Sequence, residues 1–395
     1  MDFTYSDEQQ AIADLADRIL GEQCPPETLR TLERSDEHLA ADAWTALAKA
    51  DLLGLALPAA SGGSDLGITD AALVAQKVGR HVALVPYWTS TAAALTVARW
   101  GSDAQKERWL PGAAAGTDPL AVALWQPADL GSPQRPAVVA TAEADGSWQL
   151  DGTKGPVPWS AHATALVVPV WLVDGSGDGT AGAAGTEDGR LAVLVVDTAA
   201  PGLTAIDETI VTGEPVQSLT FDAVSVDADR LLGDPTDRHQ GAEIAAWLQQ
   251  HTDALLVATA LGVAEGALAL TAQHVKEREQ FGSPIGTFQA VGHRCADAYI
   301  DTEAIRLTSL QALWQLDAGL DAGDALAIAA FWVAEGGQRV VHAAQHLHGG
   351  IGMDTDYPIH RYFRWAKVLE ALVGGTHNAL AHIGASLASG DVIDI

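Results

Sequence analysis

The hydrophobic pattern of this 395-residue chain changes twice, near Pro119 and near Gly233. Before Pro119, apolar residues recur at helical spacing, and Ser6 with Gln9 fits a capping box that begins the first helix. Between the two changes, the apolar runs are short or alternating and are divided by Gly, Asp and Pro, as strands usually are. After Gly233 the helical spacing returns. This order predicts an α+β multidomain fold.

The two changes predict three domains: an N-terminal α-helical domain over 1–118, a middle β-barrel domain over 119–232 and a C-terminal four-helix bundle over 233–395. In the middle region, Asp145-Gly146 lies between two alternating runs and predicts a β-hairpin. A pair of sheets remains open as an alternative to a barrel. The low-complexity segment 174–189 predicts a flexible loop without a chemical role.

The C-terminal region carries a heptad repeat between residues 295 and 316. Small residues dominate its two seams, which favours a tightly packed antiparallel bundle. One seam contains Cys295, Thr302, Ser309 and Leu316, and the other contains Ala298, Ile305 and Ala312. The helical pattern predicts the four helices of the bundle over 242–277, 293–317, 324–346 and 376–389.

The formal net charge of −29 excludes some classes of partner. Such an acidic surface repels the phosphates of nucleic acids and of anionic membranes. Cys24 and Cys295 are too few for a disulfide framework, which favours a reducing compartment. The N-terminus has no signal-peptide pattern, and no apolar run looks long and charge-free enough to span a bilayer. We therefore expect a cytoplasmic protein without a nucleic-acid or membrane partner.

The segment REQFGSPIGTFQ, residues 278–289, follows a long helical run. Arg278 precedes Gln280, Phe281 and Phe288. A guanidinium beside aromatic surface suits a diphosphate joined to a flat heterocycle. Taken alone, the segment also fits an ordinary interhelical turn in which the arginine caps the last carbonyls of a helix.

A second segment, HLHGGIGMDTDYPIHRYFRWAK, covers residues 346–367. Gly349 and Gly350 end a helix and permit a ligand to approach the backbone closely. His346 and His348 lie two residues apart at this helix end, so their side chains point in different directions. No third ligand is evident, and we do not expect a metal site. We prefer the interpretation in which one of the two histidines makes a polar contact and the ring of the other is packed against the protein.

Together with the later LVGGT, these segments resemble motifs of the acyl-CoA dehydrogenase family, and the domain order agrees. The resemblance implies an FAD-dependent α,β-dehydrogenation of an acyl-CoA thioester to a trans-2-enoyl-CoA. A carboxylate would remove the α proton while the β hydrogen leaves as hydride to the flavin. The electrons would then pass to an electron-transfer flavoprotein.

The resemblance also implies an FAD that is shared across a subunit interface, its ring against one subunit and its nucleotide end held by the neighbour. Arg278 would meet the diphosphate. Residues of two segments would surround the adenosine end: Gln280, Phe281, Ile285 and Phe288 on one side, and His346, Gly349 and Gly350 on the other. The family more often has Gln at the position of His346, and Gln345 is one place away.

The residues that would receive the flavin ring depart from the family pattern. In WQPADLGSP, residues 125–133, Pro127, Gly131 and Ser132 fit the pattern, but Trp125 replaces a hydroxyl residue and Gln126 replaces an acid. In DGTKGPVP, Pro156 replaces the aromatic residue that would cover the ring. Pro158 replaces a residue whose hydroxyl and N–H would meet the flavin, and proline has no N–H. The adjacent Trp159 would supply part of the missing flavin contact only if the strand register were shifted by one residue.

The positions of the catalytic base also depart from the family. One usual base position falls on Gly374, or on Val373 if the spacing is counted from the earlier glycines, and the other falls on Thr252. Two carboxylates lie nearby as substitutes. Asp253 points about 100° around the helix from Thr252, and Glu370 lies just upstream of Gly374. An ordinary surface or capping carboxylate is the simpler interpretation of both.

The sequence therefore predicts a subunit that lacks the base and completes a partner's FAD site. The partner would be a catalytic acyl-CoA dehydrogenase subunit in an α2β2 heteromer, as in some actinobacterial enzymes of steroid side-chain degradation; fatty-acid degradation is also compatible. The alternatives are a homomeric dehydrogenase with a relocated base and an inactive acyl-CoA-binding scaffold.

Overall fold

The computed structural model describes residues 3–35, 38–126, 135–173 and 189–390. The expected loop at 174–189 therefore lies outside the described residues, except for Gly189, which begins a strand. Pro127, Gly131 and Ser132 of the predicted flavin motif also lie outside them.

The N-terminal domain is helical, as predicted. The capping box is present, because the backbone N–H of Gln9 donates to Ser6 Oγ and the backbone N–H of Ser6 donates to Gln9 Oε1. The helices are α1 (Asp7–Gln23), α2 (Pro26–Leu32), α3 (Ala41–Lys49), α4 (Ile68–Arg80), α5 (Tyr87–Trp100) and α6 (Asp103–Ala115).

The described residues of the middle domain form one curled sheet and not the alternative pair of sheets. The strands are β1 (Leu120–Val122), β2 (Val139–Ala142), β3 (Trp148–Pro158), β4 (Ala165–Val173), β5 (Gly189–Asp197), β6 (Leu203–Glu208) and β7 (Val216–Val226). Their order is β1-β4-β2-β3-β7-β6, with β5 on the other edge of β4. β1 and β2 pair in parallel with opposite ends of β4.

The hairpin predicted at Asp145-Gly146 is confirmed. β2 and β3 pair antiparallel, with Ala142 opposite Trp148 at the turn. Gly146 has a φ of 89°, a left-handed conformation that glycine adopts without steric cost.

The C-terminal domain is helical, but it contains one helix more than predicted. Its helices are α7 (Gln240–Glu277), α8 (Gln289–Asp317), α9 (Gly323–His348), α10 (Ile359–Leu372) and α11 (Gly375–Ser389). The prediction missed α10, which lies inside the HRYFRWAK motif and begins after Pro358, where proline is compatible with a first turn. Most of the predicted seam of α8 is buried, including Thr302, Ile305 and Ser309, whereas Cys295 and Leu316 at its ends are only half-buried.

A shared core joins the two helical domains, because α4 and α7 approach each other closely. A Cβ on Gly79 would lie 1.9 Å from the carbonyl oxygen of Thr259, and one on Gly262 would lie 1.8 Å from that of Gln76. Only glycine permits this approach. A second core fills the inner face of the sheet.

The expectation that no apolar run could span a bilayer is wrong for α7, which is long and apolar enough by length and composition. In the structure, 78% of its most apolar window is buried against other parts of the protein. A helix that is apolar on all sides is expected to be buried, and α7 is buried as the central helix of the protein core.

Candidate functional site

The loop after α7 presents Arg278 and two aromatic rings at the surface. Arg278 ends α7, and its carbonyl oxygen accepts a 2.8 Å hydrogen bond from the backbone N–H of Ile285. Two short strands, β8 (Glu279–Gln280) and β9 (Ser283–Pro284), pair antiparallel. Their two-residue turn, Phe281-Gly282, has positive φ values of 55° and 81°, which is the geometry of a type I′ hairpin.

The Phe281 side chain is 95% exposed at the tip of this hairpin. Its ring lies edge-on to that of Phe288, with centroids 6.1 Å apart. Adjacent exposed aromatic rings are typical of surfaces that bind a ligand or another protein. The loop therefore has the apolar and cationic surface that the sequence predicted for a nucleotide.

The second half of the predicted nucleotide surface is the turn after α9. Gly349 has φ 59° and ψ −135°, a conformation that residues with a Cβ rarely adopt. A Cβ on Gly349 or Gly350 would meet no atom within 4 Å. The backbone of this turn is therefore open to a ligand.

An open depression of about 550 Å³ lies between this turn and the start of α8. Its lining includes the predicted His346 and Gly349, and Gln345, which lies one place from the position where the family more often has Gln. It also includes residues that sequence reasoning did not place in the site: Arg294, His342 and Met353. Arg294 lies on α8, so no sequence signal linked it to a turn more than fifty residues later. Its guanidinium adds a second cation to the predicted surface.

The three polar residues near this turn have different roles. His346 is exposed and lines the depression, whereas the side-chain amide of Gln345 donates to the carbonyl oxygen of Gly352 and supports the turn. His348 is buried and stacks on His274, with ring centroids 4.4 Å apart. The interpretation of one polar residue and one packed ring is therefore consistent with the structure.

The region predicted to face a flavin ring is filled by buried tryptophans. Trp125 is 1% exposed, and Trp159 is completely buried. The Trp125 ring packs edge-on against that of Trp88 on α5, with centroids 6.0 Å apart. The carbonyl oxygen of Trp125 accepts from Gly155 N–H, which places its backbone beside Pro156.

Trp159 has no N–H to offer a cofactor. Its backbone N–H donates to the carbonyl oxygen of Pro215 at 2.7 Å, and its indole N–H donates to Glu214 Oε1 at 3.2 Å. The pairing of β3 with β7 does shift between Lys154 and Val157, as a register slip requires. Both donors of Trp159 are nevertheless used inside the chain, so neither is free to replace the N–H that Pro158 lacks.

The predicted base positions carry no carboxylate. Thr252 is buried, and its hydroxyl donates to the carbonyl oxygen of Leu248 at 2.8 Å. Gly374, with a φ of 83°, forms the cap of α11, and Val373 is half-buried just before it. An apolar residue, a glycine and a satisfied hydroxyl cannot accept a proton from a thioester.

The two substitute carboxylates differ in environment. Glu370 is partly exposed and pairs with Lys367 Nζ at 2.9 Å, which is an ordinary i,i+3 ion pair. Asp253 accepts a 2.8 Å hydrogen bond from the Gln249 amide, and burial raises the pKa of its carboxyl to about 7. Asp253 is therefore the better candidate of the two for a proton acceptor near neutral pH.

The order of a helical domain, a curled sheet and a second helical domain matches the fold expected for an acyl-CoA dehydrogenase. Two family models match this chain: "Acyl-CoA dehydrogenase, N-terminal domain" over residues 6–117 and "Acyl-CoA dehydrogenase, C-terminal domain" over residues 239–388. The acyl-CoA dehydrogenase FadE27 of Mycobacterium tuberculosis is 35% identical over 98% of this chain and 99% of its own length.

Two solved structures are similar over nearly the whole chain. A variant of the Tcur3481-Tcur3483 steroid ACAD is 38% identical, with a TM-score of 0.87 over 97% of this chain and 98% of that one. The ChsE4-ChsE5 complex from Mycobacterium tuberculosis is 35% identical, with a TM-score of 0.88 over 98% of this chain and 99% of that one. The protein belongs to the acyl-CoA dehydrogenase family, whose members generally bind FAD.

Proposed function

We propose that this chain is the non-catalytic subunit of a heteromeric FAD-dependent acyl-CoA dehydrogenase, and that it completes the FAD site of a catalytic partner. One observation carries the proposal. The nucleotide-facing surface, which consists of the Arg278 hairpin and the glycine turn after α9, is open, with a 95% exposed Phe281 and unobstructed glycines. The ring-facing region, which lies around Pro156 and Pro158, is instead filled by Trp125 and Trp159. A subunit that only donates contacts needs the first feature and not the second.

The main residues of the open surface have distinct chemical roles in this proposal. Arg278 would bind the diphosphate through charge-assisted hydrogen bonds. Phe281 and Phe288 would pack against the adenosine end. Gly349 and Gly350 would let the backbone approach the same ligand, with His346 as a polar contact. Bound FAD would supply the hydride acceptor, and this chain would hold and orient the nucleotide end.

The partner subunit would supply the base, because Gly374, Val373 and Thr252 of this chain cannot accept a proton. The substrate would be an acyl-CoA thioester, and the product would be the trans-2-enoyl-CoA. A steroid side chain is the favoured acyl group, since one similar structure is a steroid ACAD. A fatty acyl chain is the second choice. An electron-transfer flavoprotein would take the electrons.

The flavin-to-chain ratio of the complex isolated from its source tests the proposal. We expect one FAD for each pair of one catalytic chain and one copy of this chain, and a colourless preparation when this chain is expressed alone. A yellow, active homomer would contradict the proposal. A native complex that binds acyl-CoA without any flavin would instead favour an inactive scaffold.

A homomeric dehydrogenase with a relocated base is the second candidate, and the raised pKa of Asp253 favours it. Asp253→Asn would then abolish turnover or, if Glu370 were the base, Glu370→Gln would do so. Glu370 is the weaker candidate, because it is held in an ion pair with Lys367. If the complex keeps its activity with Asp253→Asn and with Glu370→Gln, the relocated base is excluded and the non-catalytic role stands.

A further inference from the structure

Three aromatic rings meet behind the open nucleotide surface. His274 lies in the last turn of α7, His348 is the last residue of α9, and Tyr357 lies just before α10. The imidazole centroids of His274 and His348 are 4.4 Å apart, with planes inclined by 23°. The Tyr357 ring lies 5.2 Å from His348 and 6.4 Å from His274.

These rings connect the two segments that form the candidate nucleotide surface. The carbonyl oxygen of His274 accepts the backbone N–H of Arg278 at 2.8 Å, so His274 is one helical turn from the hairpin. His348 immediately precedes Gly349. The contact between the two imidazoles therefore joins the helix end before the hairpin to the helix end before the glycine turn.

The hydrogen bonds of His348 indicate a neutral ring. Its Nδ1 lies 2.8 Å from the carbonyl oxygen of Ala344 and must carry a hydrogen to donate to it. Its Nε2 is buried and has no hydrogen-bond partner in the described part of the chain. A proton on Nε2 would leave a buried donor unsatisfied and would place a cation beside the ring of His274.

We propose that His274 and His348 are positioning residues whose neutral, stacked rings hold the Arg278 hairpin against the glycine turn, and that protonation separates the two segments. The consequence for FAD rests on the function proposed above. The stack itself is a property of this chain and does not require the cofactor.

The charges around the stack favour the neutral rings near pH 7. Burial, and then Arg278, lower the pKa of His274, while Glu277 opposes them. Burial lowers the pKa of His348, the hydrogen bond to Ala344 opposes it, and His274 lowers it further. Tyr357 is uncharged in this range, because burial and Glu277 raise its pKa.

The direction of the pH effect follows from these lowered pKa values. Separated rings would titrate near the ordinary histidine pKa of about 6.5, whereas the stacked rings bind protons only at lower pH. The stacked state is therefore fully favoured above about pH 6.5 and loses stability as the pH falls below that value. The equilibrium constant between the separated and the stacked state then rises by up to about tenfold per pH unit for each histidine.

Hydrogen exchange on the full chain tests the stack without any cofactor. Amides of 278–288 and 349–353 are compared at pH 7.5 and pH 5.5 after correction for intrinsic exchange. We expect the protection factors to fall by up to about 100-fold between the two pH values in the wild type. In His274→Phe, which keeps a ring but removes one titrating group, they should fall by only up to about tenfold. His274→Tyr is the second variant if the phenylalanine chain does not fold.

His239→Phe is the matched control, because His239 is exposed at the opposite end of α7. This substitution should leave the ratio of the protection factors at pH 7.5 and pH 5.5 as it is in the wild type. Equal wild-type protection at both pH values would overturn the inference, as would an unchanged ratio in His274→Phe and in His274→Tyr.

The dissociation constant of FAD from the complex, measured at the same two pH values, tests the link to the site. We expect weaker binding at pH 5.5, and a smaller change in the complex that contains His274→Phe. FAD binding that is equal at both pH values would overturn the link. A complex that never binds FAD, while the exchange result holds, would refute the proposed function and leave the stack intact.

Discussion

The two regions that the family would use around one FAD differ sharply in this chain. At the nucleotide-facing surface, polar and aromatic side chains are exposed around open backbone. At the ring-facing region, Trp125 and Trp159 are buried as deeply as any core residue. An exposed patch of large apolar side chains is typical of a surface that binds a ligand or a partner, whereas buried tryptophan side chains stabilise the fold directly. The first region is therefore the one that we propose contacts another molecule, whereas the second is packed as part of the core.

The hydrogen bonds of the two regions show the same difference. In the ring-facing region both N–H groups of Trp159 have acceptors within the chain. At the nucleotide-facing surface, side-chain bonds such as that of Gln345 to Gly352 fix the backbone and leave the exposed faces accessible. Substitutions in the ring-facing region should therefore change stability, and substitutions on the nucleotide-facing surface should change ligand binding.

Trp159→Ala should give the largest effect on stability. The change removes a fully buried indole and leaves the Oε1 atom of Glu214 without its donor. Truncation of a large aromatic residue in a core costs about 3–5 kcal/mol of unfolding free energy. Urea unfolding of the purified chain or complex measures the loss.

Trp314→Ala is the control for this prediction, because Trp314 is 40% exposed on α8 and should cost much less. Bound FAD should stay unchanged in the complex with Trp159→Ala. A loss of flavin without a loss of stability would mean that the ring-facing region does hold the cofactor.

Arg278→Ala should give the largest effect on binding. Arg278 is exposed, so its removal should leave the unfolding free energy nearly unchanged. Hydrogen bonds to a charged group contribute about 1.5–3 kcal/mol, so FAD should dissociate about 10- to 100-fold more readily from the complex. Fluorescence of the released flavin measures the change.

Arg294→Ala is the companion variant, since Arg294 lines the adjoining depression. A smaller effect for Arg294 would keep Arg278 as the diphosphate ligand. The opposite order would move the diphosphate into the depression.

The domain order was predictable from sequence because it depends on local periodicity. The capping box of α1, the Asp145-Gly146 hairpin and the α8 seam each involve residues close together in the chain. The helix α10 was missed because its arginines and aromatic residues were interpreted as a motif. Its buried Arg361 pairs with Glu33 of the N-terminal domain, a contact that no local pattern predicts.

The candidate site was predictable only in part, for the same reason. The hairpin residues from Arg278 to Phe288 are local, so their shared surface could be expected. Arg294 joins the depression, and Glu214 accepts from Trp159, only through the tertiary fold. The sequence indicated that Pro158 lacks an N–H, but it could not show that the donors of Trp159 are already used.

Gly349→Ala sharpens the comparison at the nucleotide-facing surface. No neighbour would clash with the new methyl group, so any cost comes from the backbone conformation alone. Strained φ and ψ values of this kind cost about 1–3 kcal/mol. We expect a lower unfolding temperature together with weaker FAD binding. Gly384→Ala is the control, since Gly384 lies within helix α11 with open space around it and should be neutral or stabilising.

Glu214→Gln should give the smallest effect, and its pH dependence carries the information. Burial raises the pKa of the Glu214 carboxyl, although the hydrogen bonds from Thr212 and Trp159 oppose this. A raised folded-state pKa means that the folded chain prefers the protonated form. Wild-type stability should therefore fall as the pH rises through the ordinary value of about 4.3 and onward to the raised one.

Glutamine can accept from the Trp159 indole and donate to the Thr212 hydroxyl without bearing a charge. The variant should therefore match the wild type near pH 4 and exceed it at pH 7 by on the order of 1 kcal/mol. Glu208→Gln, which changes an exposed carboxylate on β6, is the matched control substitution. If Glu214→Gln were instead less stable at pH 7, the carboxylate would be ionised and paired with a cation, and the ring-facing region would have a charged function rather than a packing one.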